Sequence, residues 1–134
     1  MMEASSTTVS YEGIDMVYAE QRSDKTQYEL GQMFTKGPDD NRDYQQAANW
    51  FDRSARKGNV KAQYKLGLMY SRGLGVTANY VRAYAWLKIA AAQGSAKARN
   101  YLHKVAEKIP SNRLAEAHRL SHEYYEKYVV PFSR

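Results

Sequence analysis

Apolar and polar positions along the chain fall into a pattern that repeats at an offset of 36 residues. Lys25-Thr26-Gln27-Tyr28-Glu29-Leu30-Gly31 lies over Lys61-Ala62-Gln63-Tyr64-Lys65-Leu66-Gly67. The register continues without a gap through Met33 and Met69, Phe34 and Tyr70, Gly37 and Gly73, and Tyr44 and Tyr80. It then pairs Ala47 with Ala83, Trp50 with Trp86, Ala55 with Ala91 and Gly58 with Gly94. A further step reaches Lys97-Ala98-Arg99-Asn100-Tyr101-Leu102, where the match fades. Two tryptophans at one offset, framed by matched glycines, mark a duplicated structural unit rather than a chance echo.

Each unit reads as two helices. In the second, Asn59 is placed to cap a helix running to about Arg72, and Gly73-Leu74-Gly75 breaks it. Asn79 caps the next, which runs to Gln93 and stops at Gly94. The first unit repeats this plan, with Ser23 or Asp24 opening, Asp43 capping and Gly58 closing. Ser95 caps a fifth helix that ends before Pro110. Ser111 caps a sixth, over residues 112–128, which Pro131 stops. Its apolar positions Leu114, Ala117, Leu120, Tyr124 and Tyr128 keep helical spacing. The implied organisation is a flexible start (1–10), a short degenerate helix (11–22), repeat 1 (23–58) and repeat 2 (59–94). A partial third repeat with a C-terminal capping helix (95–128) and a tail (129–134) follow. The tail is apolar enough to fold back on the array or to dock elsewhere.

The unit Ala62-x-x-x-Leu66-Gly67-x-x-Tyr70-x-x-Gly73-x-Gly75-Val76, then Ala83-x-x-Trp86, then Ala90-Ala91-x-x-Gly94, resembles the Sel-1-like repeat (SLR) family, relatives of tetratricopeptide repeats. The first unit departs from it in the inter-helix loop, where Pro38-Asp39-Asp40 replaces Leu74-Gly75-Val76. The resemblance covers residues 25–102 and implies an all-α fold: a right-handed α/α solenoid of about two and a half helix-turn-helix repeats. It also implies a scaffold for protein complexes, with many bacterial relatives acting in envelope, secretion, motility or virulence-related assemblies.

Packing logic agrees. Gly31 and Gly67 fall inside helices, where Gly costs about 1 kcal/mol relative to Ala. That cost is tolerated where a partner helix must come close to the backbone. Ala47, Ala48, Ala55, Ala83, Ala90 and Ala91 are the expected small partners, with Tyr70, Trp86 and Leu87 filling the space between units. One helix pair cannot bury its apolar side alone, so stacking supplies the core.

Composition narrows the class of protein. With 134 residues, 43% hydrophobic and 25% charged, the chain is globular rather than disordered. No apolar run approaches the roughly 20 residues of a membrane helix. Cysteine is absent, which excludes disulfide scaffolds, thiolate zinc sites and a cysteine nucleophile. Residues 1–15 have neither a basic nor an apolar signal region, so as given the chain is expected in the cytoplasm, or in the periplasm if a leader was removed.

Charge is unevenly spread. Residues 1–50 hold nine acids and four bases, whereas residues 51–134 hold five acids and sixteen bases. Between Arg53 and Lys104 eleven Lys or Arg occur without one Asp or Glu. Such a run indicates an anionic partner or contact with an acidic segment of the same chain. Tyrosine is in excess at twelve, a residue suited to recognition because its rigid ring carries a hydroxyl.

No catalytic constellation is present. His118 and His122 stand four apart and form an incomplete metal pair, since a site needs at least a third ligand. Asp39-Asp40-Asn41-Arg42-Asp43 imitates the start of a calcium loop, but Tyr44 and Trp50 occupy the positions of its glycine and closing glutamate. That segment reads as a polar turn ending in a helix cap. Gly73-x-Gly75 is too short to cradle phosphate. No Ser-His-Asp spacing occurs, so an enzyme, a cofactor and a resident metal are not expected.

What remains is a surface. First helices of stacked pairs line the concave side of a solenoid. Steps of 36 residues give four columns there: Lys25, Lys61 and Lys97; Tyr28, Tyr64 and Asn100; Gln32, Leu68 and Lys104; Lys36, Arg72 and Lys108. The expectation is a groove edged by cations and floored by tyrosines, suited to an acidic peptide or protein surface. Against it stands a simpler arrangement, with Tyr28 and Tyr64 packed in the core and the lysines merely solvated. Nucleic acid is a second candidate ligand because the pI is about 9.5, but no DNA- or RNA-reading motif occurs and the acidic first third repels phosphate. Salt-sensitive self-association of acidic and basic ends is a third.

Overall fold

The structure, a computed structural model, describes residues 10–11, 14–15, 23–38 and 42–133. Among these are six α-helices: α1 (Asp24–Phe34), α2 (Tyr44–Arg56), α3 (Val60–Arg72), α4 (Tyr80–Ala92), α5 (Ala96–Ala106) and α6 (Leu114–Tyr128). Short 3-10 turns follow α5 (Ser111–Arg113) and α6 (Val130–Phe132). The architecture is an all-α helical-repeat solenoid in which α1 pairs with α2, α3 with α4, and each pair stacks on the next.

Side-chain caps set where the helices begin. Ser23, Asp43, Asn59, Asn79 and Ser95 each accept a backbone N–H from the residue three further on. These bonds satisfy donors that a helix start otherwise leaves open, each contributing about 1 kcal/mol. Duplication is visible in the turns as well. Asp43 donates its N–H to the Phe34 carbonyl and Asn79 to the Tyr70 carbonyl, both at 2.9 Å. Asn59 and Ser95 donate in the same way to Ser54 and Ala90.

The sixth helix starts differently from the expected Ser111 cap. Pro110 is extended, residues Ser111–Arg113 tighten into a 3-10 turn, and α6 begins at Leu114 without a side-chain cap. There the Arg113 guanidinium grips the Glu116 carboxylate through two nitrogens at 3.0 and 3.2 Å. A carboxylate in the first turn favours the helix start electrostatically.

The expected mobile start and short helix over residues 1–22 lie largely outside the described residues. Where that stretch is described, it is not helical. Ser10–Tyr11 (β1) pairs antiparallel with Ile14–Asp15 (β2), matching Ser10 to Asp15 and Tyr11 to Ile14. Gly13 inside that stretch and β-branched Ile14 weaken a helix there.

The helical glycines do admit close packing, but against large side chains rather than chiefly against alanines. A Cβ on Gly31 would stand 2.7 Å from the Phe51 ring, and one on Gly67 would stand 2.7 Å from Leu87 Cγ. Phe51 and Leu87 are themselves 36 apart, so each unit uses the same lock: a large residue of its second helix set into a notch on its first. Gly75 does a second job. It lies at φ +73° against the backbone of Tyr44, where any Cβ would collide, and so seats the loop of repeat 2 on the start of α2.

Two apolar clusters run through the stack. Leu30, Trp50, Phe51, Leu66 and Trp86 form one; Val81, Leu87, Ala98, Val105 and Ala117 form the other. Helix α6 packs mainly along α4 and reaches α2, rather than closing a hairpin with α5. Its Tyr124 and Tyr128 rings lie 4.6 and 5.3 Å from Trp86. Arg56 of α2 donates to the Tyr128 hydroxyl at 2.8 Å. The tail continues this contact: Val129 is buried, and Phe132 comes up against Gly58. It therefore folds back on the array.

Candidate functional site

Second helices α2 and α4 carry the core contacts and are backed by α6. First helices α1, α3 and α5 are splayed and leave recesses between them. One recess of about 570 Å3 lies between α1 and α3, lined by Lys25, Tyr28, Gln32 and Lys61. A second, also about 570 Å3, shares Tyr28, Gln32 and Lys61 and extends to Tyr64, Gln93 and Lys97. A third, about 240 Å3, shares Tyr64 and Lys97 and adds Asn100, Tyr101 and Lys104. Shared lining residues make these three one continuous groove along the first helices.

Eight of the twelve expected residues line it: Lys25, Tyr28, Gln32, Lys61, Tyr64, Lys97, Asn100 and Lys104. Leu68 and Arg72 line a side recess of about 180 Å3, joined to the groove through Lys65. Lys36 and Lys108 are exposed and line none of these four recesses. Helix length explains the difference. Arg72 is the last residue of α3, but α1 ends at Phe34 and α5 at Ala106. Lys36 and Lys108 thus fall beyond the helical face that would have aligned them with Arg72.

The tyrosines pack and line at once. Tyr28 is half-buried with its ring 5.6 Å from Phe51, and burial raises its phenol pKa. Tyr64 is half-buried against the second apolar cluster. Both still line the groove, while Lys25, Lys61, Lys97 and Lys104 are exposed around them.

Tyr101 was not among the expected residues, yet it organises the α5 end. Arg72 lies 5.6 Å and Lys104 5.7 Å from its ring centre. Hydrogen bonds with Ser71 and Arg72, assisted by the charges of Arg72 and Lys104, hold its phenol below the ordinary tyrosine range. Lys65 and Glu29 were missed as well. The column 29-65-101 runs one residue beside the column 28-64-100, and that adjacency is the signal that could have found all three. Glu29 and Asp24 line the first recess, so the α1 end of the groove mixes both signs. Around the third recess, Lys97 and Lys104 stand with no acid among its lining residues.

The histidine pair does not build a metal centre. His118 turns its ring edge-on to Tyr84 at 5.4 Å, with Nδ1 3.4 Å from the phenol oxygen. Among the described residues no three His, Asp or Glu side chains converge. Asp43 caps α2; residues 39–41 lie outside the described residues. No described helix is long and apolar enough to cross a membrane.

Comparison with known proteins follows the same lines. The family described as Sel1 repeat matches residues 25–59 and 60–95. Among solved structures, the chain is similar to a protective antigen present in uropathogenic Escherichia coli strains displaying an SLR fold. That similarity has a TM-score of 0.78 and 32% identity, covering 85% of this chain and 25% of the other. It is also similar to a Sel1 repeat protein from Oxalobacter formigenes, with a TM-score of 0.61 and 37% identity over 65% of this chain and 25% of that one. The chain thus spans a quarter of the length of each. Comparison with curated proteins gives no match.

Proposed function

The chain belongs to the Sel1 repeat family, and from that premise we propose that it is a non-catalytic adaptor that binds an acidic peptide or protein surface in the groove of α1, α3 and α5. Sel1 repeats serve generally as protein–protein interaction scaffolds. The observation that carries the finer reading is the continuity of the groove, with Lys25, Lys61, Lys97 and Lys104 along one open trough. Exposed amines make charge-assisted hydrogen bonds to carboxylates, and half-buried tyrosines add apolar area with a polar tip. The bacterial origin of both similar solved structures supports a bacterial setting; an envelope, secretion or motility assembly is what the family resemblance implies. Asp24 and Glu29 in the first recess repel anions of either kind, so the partner's carboxylates belong at the α3–α5 end, beside Lys97 and Lys104.

The test is a charge reversal, Lys61→Glu with Lys97→Glu, in the intact chain. Affinity purification from the native host with mass spectrometry identifies proteins held by the wild type. The double variant is expected to release the specific partner while its circular dichroism stays helical. A partner retained at full strength refutes the groove.

A further inference from the structure

The side recess differs in chemistry from the groove it joins. Its lining includes two buried apolar side chains, Phe51 at 1% exposed and Met69 at 5%. Tyr44, Leu68 and Leu74 form half-buried walls. Two cations line it as well, the half-buried Lys65 and the exposed Arg72, and Arg42 donates to the hydroxyl of Tyr44, another lining residue, at 3.0 Å. About 180 Å3 of space is enough for one large side chain. It is too small for a helix, which is about 10–12 Å across with its side chains. Arg72 belongs to two neighbourhoods, since it lines this recess and also lies over Tyr101 beside Lys104.

We infer that the groove selects an acidic segment carrying one branched aliphatic or aromatic anchor, with the anchor seated in the Phe51–Met69–Leu74 recess and neighbouring carboxylates on Lys65, Arg72 and Lys104. This rests on the groove being the binding face. An apolar pocket ringed by charge is the usual form of a binding anchor, because the rim excludes water from the contact at its centre. Charge alone would accept any acidic chain. The recess adds a size and polarity requirement at one position, which turns a general attraction into selection.

Fluorescence anisotropy on the full chain tests it with two labelled peptides. Both are runs of glutamate, interrupted at the middle by Ala in one and by Leu in the other. The Leu peptide is expected to bind about tenfold more tightly, the effect of burying much of one aliphatic side chain. Thr35→Trp, which places an indole at the mouth of the recess, is expected to make the two peptides bind alike. Leu68→Asn, which removes an apolar wall without adding bulk, should shrink the difference in the same direction. Equal wild-type affinities for both peptides overturn the anchor and leave the groove standing. A Leu advantage undiminished in both variants overturns the recess as its seat. Failure of the wild type to bind either peptide overturns the groove, and the anchor with it.

Discussion

Gly67→Ala sets two effects of known sign against each other. Intrinsic propensity makes Ala better than Gly by about 1 kcal/mol in a helix interior. Packing opposes it. The new methyl would stand 2.7 Å from Leu87 Cγ and 2.8 Å from Cδ2, and 3.4 Å from the Ala83 carbonyl oxygen. Leu87 is fully buried, so it cannot swing into solvent, and the branch carbon rather than a loose chain end is struck. Overpacking of this kind costs about 1–3 kcal/mol. The expected net effect is a loss of about 1 kcal/mol, equivalent to a fall of roughly 3–6 °C in Tm for a domain of this size. Urea and thermal unfolding followed by circular dichroism measure it. A double-mutant cycle isolates the cause. In a Leu87→Ala background, itself destabilised by about 2–5 kcal/mol, the clash is gone and Gly67→Ala should stabilise by up to about 1 kcal/mol. An increase in Tm from Gly67→Ala alone, or the same effect in both backgrounds, refutes the lock.

Tyr128→Phe removes the hydroxyl that accepts from Arg56 and should cost about 1 kcal/mol or less, since the arginine is half exposed; the change in urea midpoint measures it, and tryptophan fluorescence reports whether α6 loosens from Trp86. Above pH 10 stability should decline, because burial raises the phenol pKa values of Tyr28, Tyr84 and Tyr124 in the folded chain. Their contribution is whole below the unfolded value near 10 and is lost as pH climbs through the folded values; Tyr101, shifted the other way, offsets part of this. Thermal melts across that range check the sign. Ultraviolet titration of Tyr101→Phe should lack a phenol ionisation that the wild type shows below the ordinary tyrosine range.

Much of the fold was legible because the features that fix it are local and duplicated. Five caps, the turn glycines and the two tryptophans recur or stand at helix starts, and each has a meaning independent of the rest of the chain. What the sequence did not disclose depends on length and on distant packing. Lys36 continues the column of Arg72 on paper, yet α1 stops at Phe34, before the helix can carry it to that face. Tyr124 and Tyr128 have helical spacing, but spacing does not name the partner, and they meet Trp86 of α4 rather than α5. Gly31 and Gly67 signalled a close approach without revealing that Phe51 and Leu87 make it. Tyr101 lies on the column beside that of Tyr28 and Tyr64, and a groove between helices is lined by two adjacent columns.

On this reading, ligand enters between the first helices of the stack. Amide chemical-shift mapping of the isotope-labelled chain, titrated with a glutamate-rich peptide, tests it most directly. Perturbations are expected on α1, α3 and α5, concentrated around Lys61, Tyr64, Lys97 and Tyr101 and fading as salt is raised. Perturbations confined to α6 and the outer side of α4, with those four residues unmoved, would contradict it.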